Sequence, residues 1–147
     1  MINEYLRHTI ATIDYRFKKS VRNVDDNFGN FNLGKGSRSP IEIINHMYHV
    51  LYSTRVFVEE ERFNKETPKK LKLEQEIERF TLELKEIDKT FSVEELGVQY
   101  SKKLLQGPLS DILTHIGQIS MLQRLNNKPI KWEDFSSVPI QADFLND

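Results

Sequence analysis

The chain has 147 residues, 38% hydrophobic and 29% charged, the proportions of one globular domain, here taken as 1–147, with a core of its own. Its 21 Lys+Arg and 22 Asp+Glu are interspersed, which leaves no basic face for nucleic acid or for an anionic membrane surface. Cysteine is absent, which excludes disulfides, Cys-ligated zinc, iron–sulfur clusters and a thiol nucleophile from the protein itself. No apolar run exceeds three residues, so neither a membrane span nor a secretory segment is expected, and a cytoplasmic location follows by default.

From Asn3 to Val21 the spacing predicts a helix with Tyr5, Leu6, Ile13 and Phe17 on one stripe, Ile10 at its margin, and Arg7, Lys18 and Arg22 outside it. The stretch Asn23 to Ser39 holds Gly29, Gly34, Gly36 and four Asn residues, a composition for turns and positive φ that cannot sustain a helix. A loop of this length is often functional. Within it, Gly29 to Lys35 resembles a phosphate-cradling loop. However, Gly36 stands where Ser or Thr should hold Mg²⁺, and the segment follows a helix instead of a strand, so an ordinary Gly/Asn loop is the better reading.

Ser39-Pro40-Ile41-Glu42 marks the start of a second helix: Ser39 caps, Pro40 fits the first helical position and Glu42 closes a capping box. Ile44, Met47, Tyr48 and Leu51 form its apolar face, and it runs to about Glu60. After a linker containing Pro68, a third helix carries Leu73, Ile77, Phe80, Leu84, Ile87 and Phe91 at alternating spacings of four and three, with Glu74, Glu76, Glu78, Arg79, Lys85 and Glu86 mostly outward. Fewer than three heptads argues for a bundle helix over an extended coiled coil. Ser92 and Glu95 repeat the capping-box spacing but Gly97 interrupts, leaving Ser92 to Leu105 as a short helical turn or irregular chain. A fourth helix begins at Gly107-Pro108 and runs through Ile112, Ile116, Ile119 and Leu122 until Asn126-Asn127-Lys128-Pro129 stops it. In the tail, Trp132, Phe135 and Phe144 are expected to pack back. The fold class is all-α, a four-helix bundle.

Asp111, His115 and Gln118 are spaced by four and three residues and share one face of the last helix, and of the histidines on the second helix His46 is better aimed inward than His49. Bundle cores build metal sites from such side chains on facing helices, and imidazole with carboxylate suits Zn, Ni, Fe or Mn. Three ligands, His46, Asp111 and His115, would leave a coordination position open for water or substrate. Spacing alone leaves the ordinary reading standing, with surface histidines and Asp111 as a partner of the helix dipole. Trp132 and Tyr48 are candidate pocket walls, though aromatics at such positions are more often core. Lys69, Lys70 and Lys72 read as a solvated face.

Ser39-Pro40-Ile41-Glu42-Ile43-Ile44-Asn45-His46, together with Gln106-Gly107-Pro108-Leu109-Ser110-Asp111-Ile112-Leu113-Thr114-His115-Ile116-Gly117-Gln118, resembles the DinB-like (YfiT-like) family of metal-dependent enzymes over nearly the whole chain. The resemblance implies a four-helix bundle with a divalent metal held by three side chains, commonly all histidine, which by position are His46, Asp111 and His115. Asp111 stands where many members have histidine, and it adds negative charge to the site. The family's chemistries imply a thiol-dependent S-transferase using a low-molecular-weight thiol, or a hydrolase, acting on a small molecule. Gln118 would orient a ligand or donate to developing negative charge, and His49 or Glu42 would support the ligands. A reading from a different class is a non-catalytic bundle that binds a small ligand or protein partner, its metal site degenerate and empty. A homodimer is possible on either reading.

Overall fold

A computed structural model describes residues 1–142, and among them every regular element is helical. Helix α1 spans Glu4–Ser20, α2 Pro40–Glu60, α3 Leu73–Val93, α4 Val98–Leu104 and α5 Ser110–Leu125. Leu105–Leu109 joins α4 to α5 as a π-helical turn, so the two form one interrupted helix. None of the helices is long and apolar enough to cross a membrane.

The four long helices close a ring in which α1 packs on α3, α3 on α2, α2 on α5 and α5 on α1. Cross-helix contacts give the directions. Asn45 reaches Glu76 and Arg55 reaches Glu83, so α2 and α3 run parallel. Arg7 pairs with Asp88, which sets α1 antiparallel to α3, and Gln123 donates to the Ser20 carbonyl, which sets α5 parallel to α1. The topology is therefore up-down-down-up, with α1 diagonal to α2 and α3 diagonal to α5. Two parallel neighbours need a connection as long as themselves. Helix α2, with 21 residues, is about 30 Å long, and linker 61–72 in extended form reaches about 40 Å. Asn64 bonds Ser53 and Asn45 donates to the carbonyls of Pro68 and Lys69, which pins the linker along the outside of α2.

The interior holds Leu6, Ile10, Ile13 and Phe17 of α1, Ile44, Met47 and Leu51 of α2, Phe80, Leu84, Ile87 and Phe91 of α3, and Ile112, Ile116 and Ile119 of α5. Phe17 and Phe80 meet edge-on at 4.6 Å between ring centres. Each such side chain, fully buried, contributes about 1.5–3 kcal/mol of transfer free energy. Two expectations for α1 are corrected. Ile10 is core with no exposed surface, and Tyr5 is 86% exposed. At 100° per residue Leu6, Ile10, Ile13 and Phe17 cluster on one line, and Tyr5 falls about 110° away from it. On α3, Glu76 was expected outward and is fully buried, because it flanks the apolar seam on the side facing α2.

The ends of the helices follow local chemistry. Asn3 precedes α1 with φ 51°, donates to the carbonyls of Phe91 and Glu94 and accepts from Leu96, tying the start of α1 to the end of α3. Ser39 and Glu42 form the expected capping box, with Pro40 at the first helical position. Ser92 lies inside α3 and caps nothing. The last helix begins at Val98, nine residues before Gly107, and passes through Pro108. Proline has no N–H to give the preceding turn, and the π turn absorbs that loss: the Ser110 N–H and hydroxyl both reach the Leu105 carbonyl.

The loop after α1 contains a 3-10 turn, Asp26–Asn30, capped by Asp25. Phe28 is buried there, and a Cβ on Gly29 would lie 2.8 Å from Ile41 and 3.0 Å from Leu73, so only glycine fits without displacement. In the tail, Glu133 accepts from Tyr15 and Lys19, while Phe135 meets Tyr15 edge-on beneath the Arg16 guanidinium. Phe135 thus packs back as expected. Trp132 does not: it is 84% exposed, because inward-facing Glu133 turns its neighbour outward. Phe144 lies outside the described residues.

Candidate metal centre

The capping box sets where α2 begins and so the direction in which His46, in its second turn, points. Across from it α5 presents Asp111 and His115 one turn apart. The three side chains meet: one ligand atom from each lies within 4.8 Å of the others, a spacing that could hold a metal ion. His46 Nε2 is 3.1 Å from Asp111 Oδ2, His115 Nδ1 is 3.4 Å from the same oxygen, and the imidazole rings are 4.6 Å apart. All three are partly buried, His115 most deeply.

A hydrogen bond prepares one imidazole and burial the other. His115 Nδ1 lies 2.7 Å from the Asp111 carbonyl, which accepts only, so the ring donates there and keeps its Nε2 lone pair free. His46 has its proton affinity lowered, foremost by burial and further by His115 and Arg38, against the opposing hydrogen bond to Asp111. Burial therefore favours the neutral ring, the form that ligates. The donor set of two imidazoles and one carboxylate fits a divalent ion of the Zn, Ni, Fe or Mn type.

A cleft of about 300 Å³ opens beside His115, between the far end of the α1–α2 loop and the facing helices. Its walls include Leu33, Arg38, Ile43, Gln118 and Met121. Gln118 sits one turn beyond His115 and is exposed into this space, as its spacing predicts. Glu42 is committed elsewhere, its carboxylate accepting the Ser39 N–H and held below the usual range by that bond. Among the described residues no hydrogen bond joins His49 or Glu42 to the triplet. Sequence reasoning missed Arg38; the length of the loop that carries it was the available signal. The two proposed pocket aromatics lie elsewhere. Trp132 edges a cleft with Lys19, Arg22 and Lys131, and Tyr48 lies under the Arg79 guanidinium at 4.3 Å.

Comparison with protein-family models, with curated proteins and with solved structures finds no match, so the reading of this centre rests on its own residues.

Proposed function

We propose that the protein is a divalent-metal-dependent enzyme of the DinB-like type, acting on a small molecule as a thiol-dependent S-transferase or a hydrolase. One observation carries this reading: the ligand atoms of His46, Asp111 and His115, drawn from two facing helices, converge within 4.8 Å at the edge of a cleft. A divalent ion there supplies Lewis acidity, favouring the deprotonated form of a thiol or water that reaches it. The chain's own groups do the rest. His115 is oriented by the Asp111 carbonyl, Asp111 offsets part of the cationic charge, and the Gln118 amide faces the cleft with N–H donors for a group gaining negative charge.

Elemental analysis of protein prepared without chelator or metal-binding tag tests the centre. Near-stoichiometric metal is expected in the wild type and a loss of at least 90% in His46→Ala and in His115→Ala, with the helical circular dichroism unchanged. Unchanged metal content in both variants overturns the reading. The wild type, if loaded, is then assayed for thiol conjugation and for hydrolysis. A second reading has an observation of its own: the His46 ring already bonds the Asp111 carboxylate, and the His115 ring bonds the Asp111 main-chain carbonyl. A wild type that takes up no metal after divalent ions are added back favours that reading, a binding bundle for an organic ligand or a protein partner.

A further inference from the structure

The cleft beside the triplet is lopsided in its chemistry. One wall is apolar and open: Leu33 is 46% exposed and Met121 59% exposed, with Ile43 and Leu122 beneath them. At its rim stands Arg38, exposed and without an ion-pair or hydrogen-bond partner among the described residues. Glu42, near enough to feel its charge, takes the Ser39 N–H on one carboxylate oxygen and makes no ion pair with it among the described residues. A guanidinium offers five donors in a planar fork matched to a carboxylate, and here that fork borders a surface suited to a few methylene groups.

We propose that this cleft takes a small organic anion, its carboxylate held by Arg38 and its short apolar arm laid against Ile43, Met121 and Leu122. The proposal rests on the reading of the metal centre only for which end reacts, namely the end lying toward His115 and Gln118. Charge balance agrees: a divalent ion with Asp111, and Arg38 with the nearby Glu42, together leave one positive charge, so a loaded centre attracts an anion. The other basic cleft, around Lys19, Arg22 and Lys131, is a poorer candidate. Lys19 and Lys128 are paired there with Glu133 and Asp25, and the C-terminal ends of α1 and α5 lie close by and disfavour anions.

Hexanoate and hexanol, of equal chain length and different charge, serve as probes. They are titrated into the full chain, with and without one equivalent of Zn²⁺, and followed by NMR of the methionine and leucine methyl groups. Hexanoate is expected to shift Met121 and Leu122 and to bind at least tenfold more tightly than hexanol in the zinc-free protein. Arg38→Gln is expected to remove that preference, and Arg38→Lys to restore part of it. Equal binding of the two probes, a preference that survives Arg38→Gln, or shifts confined to the surroundings of Trp132 overturns the proposal. Zinc uptake is read separately. A wild type that binds hexanoate through Arg38 but takes up no zinc sinks the metal reading alone, and one that takes up zinc without an Arg38-dependent preference sinks the anion cleft alone.

Discussion

Glu76 has no exposed surface, yet its carboxylate meets three donors: the Asn45 amide at 3.0 Å, the Leu71 N–H at 3.0 Å and the Arg79 guanidinium at 2.7 Å. It therefore joins α2, the linker and α3 in one buried polar cluster. Glu76→Ala leaves those donors facing an apolar side chain, and removing one partner of a buried ion pair costs about 3–5 kcal/mol. Arg79 retains some exposure, which puts the expected loss near the lower end, about 3 kcal/mol in denaturant unfolding. Glu76→Gln keeps the shape and an acceptor and is expected to lose less. A loss below about 1 kcal/mol for the alanine variant would show that the linker holds its place through the Asn45 and Asn64 contacts without this carboxylate.

Among the elements, the tail is held differently from the helices. Glu133 binds it to α1, and the Lys19 ammonium, then the Tyr15 hydroxyl, hold its carboxyl below the ordinary value of 4.5. A depressed value in the folded state means that this contribution is complete above pH 4.5 and is lost as the pH falls through the folded value. Trp132, the single tryptophan, stands beside Glu133 and reports on it. Its fluorescence anisotropy is expected to fall below pH 4.5 in the wild type and to be low across the whole range in Glu133→Gln. Equal anisotropy in both proteins at neutral pH would show that Phe135 secures the tail alone.

The same elements show what periodicity reveals and what it conceals. The capping box at Ser39 and the a/d seam of α3 were legible because they are local: each is set by residues three or four apart. The convergence of His46 with Asp111 and His115 was half legible, since spacing gives the face of each helix but not which helices are neighbours. Pro108 misled because proline at a helix start and proline inside a π turn look alike until the Ser110–Leu105 bond, one residue longer than the α-helical spacing, is seen. Arg38 and Glu76 were missed for a related reason. Arg79 aside, which pairs with Glu76 one turn along α3, their surroundings are supplied by other segments, and spacing within their own helix or loop does not report those.

At the scale of the whole molecule, neighbours in space are distant in sequence. Arg7 bonds Asp88 across 81 residues, Ser20 meets Gln123 across 103, and His46 meets Asp111 across 65. A meander of antiparallel hairpins would pair each helix with the next, whereas here α1 waits for α3 and α5. Such wiring raises the entropy of loop closure that must be overcome before contacts form, and bundles of high contact order fold slowly.

That wiring also orders events in time. The residues that face one another across the centre lie on α2 and α5, 65 apart in sequence. The cost of closing so long a loop leads us to expect that they meet late, as α5 docks between α1 and α2. An ion bound there acts as a latch on a finished structure and not as a seed for an unfinished one. Zinc is accordingly expected to slow unfolding at least tenfold in stopped-flow experiments while leaving the refolding rate within a factor of two, since interactions absent from the transition state change only the unfolding rate. Refolding accelerated by zinc would instead place the pairing of α2 with α5 early. Durability in this protein would then be a matter of how rarely one helix lets go.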